Sequence, residues 1–168
     1  AGNALAFDGT DDQVEIPNNS ATNFSSGNFS IEAWVKTSST DETFFETADG
    51  GNTRRKALRV ASTGGLEGII TGSTSTLTLT STELINDNEW HHVALVYSPT
   101  SSTLFLDGVA VGTSSINVGN TDTGTSIFLG RNATGSAFFT GQLDELRIWT
   151  TARTDSEIKS KMCSKLDF

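Results

Sequence analysis

The sequence predicts an all-β fold, two antiparallel sheets packed face to face as a sandwich with one short C-terminal helix. Three observations carry this expectation. Apolar and polar residues alternate with period two in short runs, clusters of Gly, Asn, Asp and Ser separate those runs, and helical periodicity is nearly absent until the end of the chain. About a dozen such runs occur, more than one open sheet holds comfortably without curling or splitting into two layers. A chain of 168 residues also buries about 70% of its extended surface, so a core forms without disulfide or metal.

The elements follow in order. Ala4–Asp8 and Gln13–Ile16 are short opening strands. Asn28–Thr37 is longer, with Phe29, Ile31, Ala33 and Val35 on one side and Glu32, Trp34 and Lys36 on the other. Thr43–Thr47, Ala57–Ala61 and Leu66–Thr71 come next. In Thr76–Thr80 threonines alternate with Leu77 and Leu79, which reads as a solvated sheet face. Trp90–Tyr97 is apolar on both sides and is expected to be central. Thr103–Leu106 and Val109–Thr113 flank Asp107-Gly108, a pair that tolerates the positive φ of a type I′ hairpin turn. Gly112–Thr125 reads as a long loop, and Ser126–Leu129 and Ala137–Trp149 complete the strands. Thr154-Asp155-Ser156-Glu157 has capping-box spacing, with Ile158 and Met162 one turn apart on the helix it starts.

Charge and motifs exclude several functions. Eleven Lys and Arg against 20 Asp and Glu give a net charge of -9, which repels phosphate backbones and anionic lipid. Nucleic acid is therefore not expected as a partner. No run approaches the roughly 18 apolar residues of a spanning helix, so membrane insertion is not expected either. The single Cys163 has no intrachain partner. His91 and His92 are adjacent and point apart on a strand, so they cannot easily chelate one ion together. Arg54-Arg55-Lys56 reads as a short solvated positive spot. No Gly-x-Ser-x-Gly elbow, phosphate loop or zinc spacing occurs. Glycoside hydrolysis needs two carboxyl groups about 5–9.5 Å apart. Glu42 and Glu46 would stand about 13 Å apart along an extended strand, and the adjacent Asp144 and Glu145 face opposite ways. No catalytic residue is assigned, and the chain is read as a non-enzyme with hydrolase activity as a remote alternative.

Six segments have a joint resemblance. Ala6-Phe7-Asp8-Gly9 with Asp12-Gln13-Val14-Glu15-Ile16, then Phe29 to Lys36, Trp90-His91-His92-Val93-Ala94, Leu106-Asp107-Gly108, Leu129-Gly130-Arg131 and Phe139 to Trp149 occur in this order. They resemble the laminin-G-like, concanavalin A-like jelly-roll domains of secreted bacterial proteins, distantly similar to pentraxins and legume lectins. The resemblance covers about residues 3 to 163. It implies two antiparallel sheets, a place outside the cell or on its surface, and neighbouring domains in a longer chain from which residues 1–168 form one unit.

The resemblance also implies a structural calcium tying the first strand and the start of the Trp-bearing strand to the last long strand. The matching positions are Asp8, Gly27 or Asn28, and Asp144. Asp144 is expected on the strand face of Leu146 and Ile148, where a bare carboxylate would be costly. Sugar binding needs an aromatic platform with convergent polar groups. Trp34 and Trp149 lie on polar-alternating faces with Arg147 nearby, and Asp49, Asn52, Arg54 and Arg55 would supply rim contacts from a loop. The opposing reading has both tryptophans filling the sandwich and Glu145 paired with Arg147. Carbohydrate binding or adhesion at a cell surface is the leading expectation, and a structural spacer or protein-interaction module is the alternative.

Overall fold

The computed structural model describes residues 4–19, 22 and 27–162, so Cys163 lies outside the described residues. The described residues form twelve strands and one helix: β1 (Leu5–Asp8), β2 (Val14–Ile16), β3 (Phe29–Lys36), β4 (Thr43–Ala48), β5 (Arg55–Val60), β6 (Gly65–Thr71), β7 (Thr76–Leu84), β8 (His91–Ser98), β9 (Ser101–Leu106), β10 (Val109–Ser114), β11 (Ile127–Leu129), β12 (Thr140–Trp149) and α1 (Asp155–Lys161). They make two six-stranded sheets, ordered β1-β12-β3-β8-β9-β10 and β2-β11-β4-β5-β6-β7. Every pairing is antiparallel. The sandwich expected from the alternation is the one observed.

The core lies between the sheets. Phe29, Ile31, Ala33 and Val35 of β3 are buried there with Val93, Leu95 and Tyr97 of β8, facing Leu58, Val60, Leu66 and Ile70 of the second sheet. Each such side chain contributes about 1.5–3 kcal/mol on burial. Phe29 and Tyr97 stack with ring centroids 5.2 Å apart. Strand β8 is apolar on both sides for a reason visible only in three dimensions. Its outer residues Ala94 and Val96 join Phe105 and Ile158 in a second cluster beneath α1. The capping box that starts α1 is formed, with the Thr154 hydroxyl accepting from the Glu157 amide.

Backbone geometry positions the rest. Asp107 and Gly108 take φ of 49° and 73°, as the hairpin turn requires. In β7 the threonines are exposed and Leu77 and Leu79 buried, so that face is solvated. The long loop starts later than expected, because β10 runs to Ser114. Its Val118 is buried, and Lys56 Nζ donates to the Thr121 carbonyl. Lys56 is therefore no part of a solvated basic spot: period-two alternation turns it inward between Arg55 and Ala57, and burial pushes its ammonium down to about 8.

A β-bulge corrects one expectation about β12. Asp144 pairs with Trp34 and Arg147 with Glu32, so three steps on β12 match two on β3. The extra residue is absorbed around Glu145, whose φ is 51°. Asp144 consequently shares the outer face with Trp34 and Arg147, while Ile148, opposite Ile31, points toward the core.

Candidate functional site

The outer face of the first sheet gathers three of the residues expected to bind ligand. Trp34, Glu32 and Ser30 of β3 stand opposite Asp144, Arg147 and Trp149 of β12. His92, beside Trp34 on β8, meets its ring edge-on with centroids 5.4 Å apart. The Glu32 carboxylate, 1% exposed, lies 3.6 Å from His92 Nε2 and 3.6 Å from Arg153 Nε. His91 points the other way, as adjacent strand residues must.

The chain's own C-terminal segment occupies this face. Trp34 Nε1 donates to the Met162 carbonyl at 2.9 Å, and Arg147 Nη1 donates to the Lys161 carbonyl at 2.8 Å. Arg147 Nη2 also donates to Glu145 at 2.9 Å. The Arg153 guanidinium stacks 4.3 Å over the Trp149 ring. Ser30 Oγ donates to the Thr151 carbonyl and accepts from the Arg153 amide. The tryptophans thus neither fill the sandwich nor form an open sugar platform; they hold residues 150–162 against the sheet.

The other expected ligand residues are elsewhere. Asp49, Asn52 and Arg54 form the turn between β4 and β5 in the second sheet, across the core from Trp34. Asp49 Oδ1 accepts from the Thr53 and Arg54 amides, and the Asn52 amide donates to the Asp49 carbonyl. The Thr53 hydroxyl is the largest influence holding the Asp49 carboxyl below its ordinary value. These groups build the turn, and the fold does not bring them to the tryptophans.

The calcium positions do not converge either. Asp8 pairs with Thr140, and Asp144 lies four residues further along β12, about 13 Å away along the strand. Gly27 and Asn28 precede Phe29, at the end of β3 opposite to Lys36, while Thr37 Oγ1 donates to the Thr140 carbonyl beside Asp8. Oxygens so distributed cannot share a coordination shell of about 2.3–2.6 Å radius, so the set does not fit one ion. Asp8, Asp11 and Asp12 do come together, but all three are exposed, and Asp8 and Asp12 serve local turn bonds to the Thr10 and Asp8 amides.

The outer face of the second sheet carries a cluster of which only Arg55 was expected to touch ligand. Alternation on β5 sends Arg55, Ala57 and Arg59 outward while Lys56, Leu58 and Val60 point to the core. Glu46 pairs with Arg55 across the sheet and, through Oε1, accepts from the Ala133 amide at 3.2 Å. Arg59 pairs with Glu67 at 3.3 Å and with Asp41. Beside Glu46 the ladder places Phe128, whose ring carries the Arg131 guanidinium at 3.9 Å. Arg55 and Arg59 remain 23% and 22% exposed. The signal was present in the every-second-residue spacing of Arg55, Ala57 and Arg59.

A laminin G family model, described as the concanavalin A-like lectin/glucanases superfamily, matches residues 8–159. The chain belongs to that family. This laminin-G-like domain is also similar in fold to several solved structures. The binding domain of a paraclostridial mosquitocidal protein superposes with TM-score 0.78 at 16% identity, covering 94% of this chain and 42% of that one. Mouse laminin α1 domains LG4-5 give 0.73 at 13%, covering 90% and 43%. A putative carbohydrate binding protein from Bacteroides ovatus gives 0.72 at 22%, covering 95% and 46%. The laminin-G-like domain therefore spans less than half of each of these three chains. No curated protein matches it. Among the described residues, no helix is long and apolar enough to cross a membrane.

Proposed function

We propose that this domain is a non-catalytic recognition module of a secreted or cell-surface protein, binding carbohydrate on the outer face of its second sheet. The observation that carries the reading is the Glu46–Arg55 pair beside the Phe128 and Arg131 stack, on a face that no helix covers among the described residues. The partly exposed guanidinium groups of Arg55, fixed by the buried Glu46 carboxylate, and of Arg131, laid on the Phe128 ring, suit vicinal hydroxyls. The neighbours described as a binding domain and a carbohydrate binding protein support the class of function without naming a ligand.

Two further points shape the proposal. Glu42 accepts from the Thr140 amide at 2.7 Å and Glu46 is bound to Arg55, so both carboxylates of the nearest acidic string are committed to structural bonds. This supports a domain that binds without cleaving. A structural calcium shared by Asp8, Gly27 or Asn28, and Asp144 is no part of this reading, because those donors are spread along the first sheet.

A glycan array on the purified domain, with and without calcium, tests the reading. Binding to at least one glycan, lost in Phe128→Ala and Arg59→Ser with the melting temperature little changed, is the expected result. Silence across the array would favour a spacer, and release of reducing sugar from polysaccharide would overturn the non-catalytic part.

A further inference from the structure

The opposite long edge of the sandwich has a different character. Strand β10 ends the first sheet and pairs only with β9 among the described residues, while β7 ends the second sheet beside it. Edge strands expose unpaired amides and carbonyls, and proteins normally blunt them with charge or proline. Val109-Ala110-Val111-Gly112-Thr113-Ser114 has neither; its one irregularity is a bulge between Ala110 and Gly112, on either side of which its register with β9 is regular. Next to this edge lies a groove of about 290 Å3. Its floor is apolar, from Leu84, Leu106, Val109 and Val111. Leu84 is 54% exposed and Val109 59%, large values for side chains of this size on the surface of a single domain.

The rim is acidic. Glu83 and Asp107 line it, and the His91 ring bridges Asp107 at 2.9 Å and Asp87 at 3.1 Å. With His91 protonated, three carboxylates against one cation leave a local charge of about -2, and with His91 neutral about -3. The Lys159 stem packs close to Gly108 from the helix, on the far side of the turn from Glu83. A second copy of this chain would bring the same acidic groups, and its net charge of -9, to the contact.

We propose that the β10 edge and the adjoining groove dock an extended basic segment of another protein, adding a strand to the first sheet. Its main chain pairs with β10, an apolar side chain enters between Leu84 and Val109, and a Lys or Arg two residues along, on the same strand face, meets Glu83 and Asp107. Backbone pairing supplies affinity and the groove supplies selectivity, the ordinary division in strand addition. The site is separate from the proposed glycan face and stands whether or not that face binds sugar.

The test uses a labelled eight-residue peptide Thr-Val-Thr-Lys-Thr-Val-Thr-Lys, which sets valine and lysine on one strand face, with glutamate in place of lysine as counterpart, titrated into the intact domain by fluorescence anisotropy. The lysine peptide is expected to bind and to shift the amide resonances of residues 109–114. Leu84→Ser and Val109→Ser, neutral changes at exposed positions that leave folding intact, are expected to weaken binding at least 5-fold. Asp11→Asn, at the far edge of the first sheet, is expected to leave it unchanged. Equal binding of the glutamate peptide, indifference to Leu84→Ser, or no binding at millimolar peptide would overturn the proposal. Dimerisation seen by sedimentation and abolished by Val109→Ser would overturn it in favour of a second copy as occupant.

Discussion

Trp34 and Met162 are joined by a 2.9 Å hydrogen bond from the indole nitrogen to a backbone carbonyl, across 128 positions of sequence. That bond fixes the end of the C-terminal segment to the centre of the first sheet. It also explains why an aromatic residue on a polar-alternating face is here a structural anchor.

Trp34→Phe keeps most of the ring packing and removes the donor. It is expected to cost about 1 kcal/mol, the usual net value of such a bond. Amide exchange in α1 should accelerate more than in β8. Uniform acceleration in both would show that the bond does not hold the segment locally.

Arg153→Ala removes the guanidinium 3.6 Å from the buried Glu32 carboxylate and also the stack on Trp149. The loss is expected to be about 3 kcal/mol by urea denaturation, since a buried charge loses its partner. Glu32→Gln in the same chain should recover part of it. A double variant no more stable than Arg153→Ala would place the loss in the Trp149 contact.

Lys56 gives stability a defined dependence on pH. Its pKa falls from 10.5 to about 8 on folding because burial disfavours the ammonium, so the folded state binds fewer protons than the unfolded state in that interval. Its contribution is fully present above pH 10.5 and is lost as pH falls through about 8. The whole span corresponds to the order of 3 kcal/mol. Chemical denaturation from pH 7.5 to 10 should show stability rising with pH in the wild type and a smaller rise in Lys56→Met. Parallel curves would contradict the assignment.

Chelation separates the ends of the β1–β12 ladder. Asp8 and Asp144 do not share a shell, so Asp144→Ala should leave the response of the melting temperature to EDTA the same as in the wild type. A response that Asp144→Ala alone abolishes would restore a shared ion.

Much of the fold was legible from the chain. Each of the twelve strands begins and ends within a few residues of an alternating run, and the Asp107-Gly108 turn and the Thr154 cap form at their motifs. These are local properties, set by side-chain period and by the φ angles a few residues tolerate. The site was less legible. The face of Asp144 depends on the one-residue bulge at Glu145, and period-two reading carries no mark of an inserted residue.

By itself, then, the sequence determined the class, the strands, the turn, the cap and the family resemblance, because all of these rest on spacing along one chain. Only the tertiary structure decided which faces are open. Trp34 and Trp149 lie beneath residues 150–162, Lys56 points into the core, and Arg55 is paired with Glu46 next to Phe128, because long-range register and the docking of a distant segment settle what solvent can reach.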